Sequence, residues 1–270
     1  MSVKEKMTAL ADEIRAKTGE DEPMALDEMA SKIEDVYNIG VEKQNNMFWE
    51  LFQCGGNRNA YTFAFSYWDA EMFYPKYDLK VVSGDSMFRF FGRRFDENGT
   101  IYIPDKTIDL TERLKSCGVK LDTSEWTSGA LFTLQSGFHR IPEIDSRNID
   151  TLLNIFSWNS LLEKIDKIIL KNDGSQVFSG VFVHCLKLKD VIIEGKIGND
   201  FDIHWSPLSK ESILSIFNAL LDISEEKSIS LSLSAIDEAF ETTDGAGDGS
   251  TSDEWKELLG TKSNWTVVLM

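Results

Sequence analysis

Histidine is the side chain best suited to acid–base or metal chemistry near neutral pH, and this chain has three: His139, His184 and His204. None lies in a His-Glu-x-x-His, a Cys-His or a Ser-His-Asp arrangement that would supply a metal site or an activated nucleophile. Gly84, Asp85 and Ser86 have the composition of a lipase-type serine motif. They lack the strand-to-helix elbow and the downstream Asp-x-x-His that such hydrolases need. The stretch DGAGDGSTSDE at 244–254 sets oxygen-bearing side chains at alternate positions, Asp248, Ser250, Ser252 and Glu254, somewhat as a calcium loop does. The close acidic ligands ahead of the glycine and the distant bidentate Glu are missing, and the same residue types make a solvated loop. FRFFGRRF at 88–95 gathers Arg89, Arg93 and Arg94 among four phenylalanines. This basic knot either docks an anionic group or pairs with acidic neighbours. The expectation is a protein that is not an enzyme and takes no cofactor and no metal.

The composition narrows the partners. Acidic residues outnumber basic ones 45 to 28, for a formal net charge of −17. Such a chain repels phosphate backbones and anionic lipid and gains nothing from counterion release, so nucleic-acid binding is disfavoured. At 42% hydrophobic residues and 270 residues in length it can bury a substantial core. The N-terminus has no uninterrupted apolar segment and nowhere do 18 apolar residues run together, so neither secretion nor membrane insertion is expected. Cys54, Cys117 and Cys185 are odd in number and far apart, unlike a disulfide framework or a zinc site.

The elements show a meter. In FVHCLKLKDVIIEG, Phe182, Cys185, Leu188 and Val191 recur every third residue; Phe156, Asn159, Leu162 and Ile165 occupy the same four slots earlier, and Phe132, Gln135, Phe138 and Ile141 earlier still. Units of this size bury their apolar side only by stacking on the next, which points to a solenoid. The second slot holds Gln135, Asn159 and Cys185, small or amide-bearing residues able to bond backbone groups where the chain bends. In the short strands that end each line, Arg140, Lys164, Asp166 and Asp190 flank the buried residues. They should form an exposed polar ribbon across neighbouring repeats, the candidate ligand-contact surface; a solvated face with no partner is the alternative.

The form F-x-x-[C/N]-x-x-L-x-x-I resembles the BspA-like leucine-rich repeats. The phrases YTFAFSYWDAEMFYPKYDL (61–79), DLTERLKSCGVKLDTS (109–124), SPLSKESILSIFNALLD (206–222) and EWKELLGTKSNWTVVL (254–269) resemble a narrower group of that family encoded by phages and prophages of Gram-positive gut bacteria. The Cys slot is replaced twice and the repeats are few. The resemblance implies an α+β fold: a short irregular leucine-rich-repeat solenoid, with a curved sheet and helical or irregular backs, between an N-terminal helical hairpin and a mixed C-terminal cap. It also implies a phage or prophage tail-associated virion protein, made in the host cytoplasm without a signal peptide, whose repeat surface recognises a host surface protein or glycan. The alternative is an intracellular module that acts on a host protein during infection.

Four segments follow. Residues 1–45 carry two helical stripes, Val3, Met7, Leu10, Ala11 and Ile14, then Leu26, Met29, Ile33, Val36 and Tyr37, separated by Gly19 and Pro23. This hairpin resembles a short module at the head of phage accessory and tail-associated proteins. It is expected to attach to phage particle proteins or to copies of the same chain, or else to lid the first repeat. Residues 46–120 crowd aromatic side chains, among them Phe48, Trp49, Phe52, Tyr61, Trp68, Phe73 and Tyr77. They are read as an N-terminal cap with the first irregular repeats; an aromatic platform for sugar rings is the other reading. Residues 121–205 hold the leucine-rich repeats. In 206–270, Ser209 caps a helix stapled by Leu208 and Ile213, SISLSLS alternates as a strand through Ile229, Leu231 and Leu233, and a helix near 252–259 precedes the strand NWTVVLM. Removing residues 1–45 should therefore leave the remainder folded while costing particle incorporation or oligomeric state. Light scattering and thermal melting of the two proteins side by side check this, and a truncated chain that melts or precipitates would make the hairpin a lid.

Overall fold

β-branched and leucine residues fit a pleated strand with one buried face, and KIDKII at 164–169 is the longest strand among the described residues, its buried Ile165 and Ile168 standing three apart across a register shift. The computed structural model describes residues 12, 73–75, 78–81, 88, 94–95, 101–102, 107–127, 131–132, 137–241 and 252–270. The N-terminal hairpin, most of the aromatic segment, Gly84 to Ser86, most of the basic knot and residues 242–251 lie outside them. The chain divides into two compact units, Met1–Gly55 and Gly56–Met270; the elements below belong to the second.

Those elements make a mixed α/β structure of open, mainly parallel sheets with four helices among the described residues. In chain order they are β1 (Leu79–Lys80), β2 (Arg94–Phe95), β3 (Ile101–Tyr102), β4 (Ile108–Asp109), α1 (Leu110–Ser116), β5 (Leu121–Asp122), β6 (Phe138–Ile141), β7 (Ile144–Asp145), β8 (Thr151–Leu153), β9 (Lys164–Ile169), β10 (Val177–Ser179), β11 (Asp190–Glu194), β12 (Phe201–Asp202), α2 (Lys210–Ala219), β13 (Lys227–Leu231), α3 (Leu233–Phe240), α4 (Asp253–Gly260) and β14 (Trp265–Leu269). The largest sheet runs β4, β6, β9, β11, all parallel, and β7 continues the line of β6 along β9. Ile141 pairs with Ile165 and Ile165 with Val191, so the fourth slots of the three lines are neighbours in one sheet. A second parallel ladder joins β8 to β10, with Thr151 opposite Val177.

Between the ladders stands a column of phenylalanines. Phe88, Phe132, Phe156 and Phe182 are buried and stack at centroid separations of 5.0, 6.0 and 5.6 Å, and Phe201 closes on Phe182 edge-to-face at 5.8 Å. The backbone repeats with them. Phe88, Phe132 and Phe156 each donate their N–H to the carbonyl before the next phenylalanine, on Leu131, Ile155 and Val181, at 3.0 Å. Leu162 and Leu188 are fully buried beside the column. The apolar space among Phe156, Phe182, Leu152 and Ile168 is only about 10 Å³, too little for a water molecule.

The second slot does what its chemistry suggests. Asn159 is fully buried and its amide donates to the carbonyl of Phe132, while the Cys185 thiol donates to the carbonyl of Phe156 at 3.1 Å. Burial pushes the Cys185 thiol up to about 12, so it stays protonated and keeps its donor. Gln135 lies outside the described residues. Ser206 also bonds back to the line before it, but to the carbonyl of Cys185 at 3.3 Å and not to that of Phe182.

The far end of the sheet is covered by a helix. Ser209 caps α2, and its buried stripe holds Ile213, Ile216 and Phe217. Ser212 accepts the Val191 N–H at 2.9 Å and donates to the Lys189 carbonyl at 2.9 Å, and Ser215 accepts the Ile193 N–H at 2.8 Å. Two serines on one helix face thus occupy the backbone groups that the edge strand β11 would leave open. The chain then forms a parallel sheet of β12, β13 and β14. Here the sequence reading is corrected: the strand ends at Leu231, and Leu233 begins helix α3 instead of continuing the alternation. Ser232 takes the N-cap position, and Ala235, Ile236 and Phe240 supply a buried helical face that outweighs a two-residue period carried by serines alone. Phe240 and Phe217 pack against the buried Trp255 of α4.

Phe156→Ala should cost about 3–5 kcal/mol, because the cavity opens between rings stacked on both sides. Asn159→Leu should cost about 1–3 kcal/mol by orphaning the Phe132 carbonyl, whereas Asn159→Cys should recover part of that loss. Urea titration of the three variants checks the order.

Candidate functional site

The four residues of the expected ribbon lie across adjacent strands. Asp109, Arg140, Lys164 and Asp190 stand opposite one another in successive pairs, and Asp166 lies two residues further along β9. Arg140 donates to Asp166 at 2.7 Å and to Asp109 at 3.4 Å, and Thr111 at the start of α1 donates to the second oxygen of Asp166 at 2.7 Å. The hydrogen bond to Asp166 and the two carboxylates raise the Arg140 pKa above its ordinary value. Arg140, Lys164 and Asp166 are half-buried; Asp190 is exposed and accepts from the Ser209 hydroxyl at 2.9 Å. The charge of Arg140 is thus spent in clamping three strands. A second clamp runs beside it, where Lys167 pairs with Glu143 at 2.9 Å and Glu194 at 3.1 Å.

A different set of side chains forms a row, two of them exposed and the middle one, His184, half-buried. Trp158, His184 and Trp205 each stand two residues beyond a buried residue, Phe156, Phe182 and Ile203, the first two of them in the column. Their rings follow one another at 3.9 and 4.4 Å, tilted by 37° and 36°. The two tryptophans keep 45% and 39% of their surface open, unusual for a residue that normally buries most of its large area. His204 lies 4.8 Å from Trp205 and holds Asp202 through Nδ1 at 2.6 Å.

The backbone under the row is strained. Trp158 and His184 sit in the left-handed region at φ +62 and +58°, where a side chain with Cβ costs about 1–2 kcal/mol. The preceding corner, also left-handed, is filled by Asn154 and Gly180, residues that tolerate it well. At Gly180 an added Cβ would meet the Asn154 amide. One corner follows the conformational rule and the next, in the same two units, breaks it with a tryptophan and a histidine.

The other expected sites are mostly unsupported or undescribed. Among the described residues no cluster of three His, Cys, Asp or Glu side chains could hold a metal. Asp248 and Ser250 lie outside the described residues; Ser252 caps α4 and Glu254 pairs with Lys210 at 2.6 Å. His139 shares a hydrogen bond with Thr107 at 3.0 Å. A shallow groove between β11 and α2 is lined by Ile192, Leu214, Lys210, Glu211 and Asn218, with no convergent polar set. No helix of the described residues is long and apolar enough to cross a membrane.

No protein family, curated protein or solved structure matches this chain. The site therefore rests on its own geometry. The aromatic row was open to sequence reasoning, since FSW, FVH and IHW place Trp158, His184 and Trp205 at one offset from a buried residue; the four-slot meter draws attention to the buried positions and passes over the residue between them.

Asp166→Ala should lower stability by about 1 kcal/mol, because Arg140 and Thr111 lose a shared acceptor. Lys164→Ala should change it by less than about 0.5 kcal/mol. Denaturant midpoints of the two variants measure the difference.

Proposed function

We propose that this chain is a short leucine-rich-repeat solenoid and a non-enzymatic binding protein, tail-associated in a phage or prophage particle, that presents its repeat surface to the host cell. The observation that carries the reading is the agreement of offset between inside and outside: buried Phe156 and Phe182 stack in one column, and two residues on, Trp158 and His184 stack on the surface. Stacked units of this kind create an extended surface on which equivalent positions line up, which is how solenoids bind. The self-paired polar clamps and the net charge of −17 favour a ligand that does not depend on phosphate contacts. The particle assignment rests on the resemblance of the repeat and flanking phrases to phage-encoded repeat proteins. Mass spectrometry of purified particles should find the chain at a fixed ratio to the tail proteins. Its absence from particles, together with early expression in infected cells, would move the protein to the intracellular class.

A further inference from the structure

We infer that the Trp158–His184–Trp205 row is a binding subsite for a neutral glycan chain, an assignment that rests on the recognition reading above and names its ligand class. Three observations support it. Trp158 and Trp205 are exposed, and the half-buried His184 ring joins them at 3.9 and 4.4 Å, so a linear polymer laid along the repeat axis meets the two indoles in turn. The backbone beneath Trp158 and His184 is held at positive φ, where the fold itself would be better served by the Asn or Gly used at the neighbouring corner. Strain kept at an exposed position is a mark of function. The polar groups beside the row are a carboxylate and an imidazole, Asp202 and His204, in mutual contact at 2.6 Å.

The chemistry selects the ligand. The C–H face of a sugar ring is apolar and packs on indole, while its hydroxyls need acceptors and donors at the rim; indole N–H, imidazole and carboxylate supply both. A phosphate-bearing or uronate polymer would meet Asp202 on a chain of net charge −17 and be repelled. A protein partner could also use exposed tryptophan, but such contacts centre on a desolvated pocket ringed by packing residues, and here the rings form a ridge with a charged flank.

The test uses the full chain and three neutral hexasaccharides, of β-1,4-linked N-acetylglucosamine, β-1,4-linked glucose and α-1,4-linked glucose, with a uronate-containing hexasaccharide as comparator. Titration is followed by nuclear magnetic resonance of the indole N–H signals. At least one neutral chain should shift the Trp158 and Trp205 signals saturably, and the uronate chain should not. Trp158→Gly suits the left-handed backbone and should melt like the parent while binding about tenfold or more weakly; Trp158→Phe should retain most of the affinity. No saturable shift with any neutral chain overturns the assignment. Binding to isolated host cell walls then separates the two readings. Wall binding unchanged in Trp158→Gly leaves recognition in place at another site. Wall binding lost in that variant without any glycan response makes the partner a protein, and a parent chain that binds no wall at all removes the recognition reading itself.

Discussion

The structure depends on one recurring hydrogen bond, in which a side chain of one unit captures the backbone carbonyl of the unit before it. A chain that turns back every two dozen residues leaves peptide groups at its corners with no strand partner, and burying them unpaired costs as much as several buried methylenes return. Asn159 and Cys185 resolve this for Phe132 and Phe156. The capture fixes the rotational setting of each unit on the last, and the phenylalanine column, the ladder register and the outer aromatic row all inherit that setting. The donor's chemistry is secondary to its reach, since an amide and a thiol serve in succession.

The same logic of satisfied backbone groups governs the end of the sheet. A parallel sheet built by stacking has no intrinsic terminus, and its last strand offers N–H and carbonyl groups to any other chain. Helix α2 supplies hydroxyls in place of a further strand, while its apolar stripe covers the last layer of core. Charges follow rather than lead. Arg140 and Lys167 each sit between carboxylates from neighbouring strands, where the like-charged ladders of an acidic chain would otherwise repel.

How much of this could be read from the sequence varied with the physics of each part. The meter located the column and the fourth-slot register because buried rings and β-branched residues leave a periodic trace. Ser209 as a cap was legible because capping is local. Helix α3 was not, since SISLSLS satisfies a two-residue period and the apolar face of Ala235, Ile236 and Phe240 begins only where that period ends. Arg140, Lys164, Asp166 and Asp190 could be placed on adjacent strands by spacing, but spacing does not show that Arg140 is already occupied by Asp109 and Asp166. The aromatic row escaped notice for the opposite reason: its tryptophans look like core types, and nothing in the sequence announces the left-handed corner at Trp158 and His184.

The serines of α2 bear on how such a protein changes length. Ser212 and Ser215 bond main-chain atoms of β11 and of Lys189 just before it, and the side chain of that strand bonded at the helix cap is Asp190, held by Ser209. Any unit that ends in a strand of the same reach presents the same atoms. A unit inserted ahead of Lys189 would leave the hydroxyls of Ser212 and Ser215 facing the same main-chain atoms.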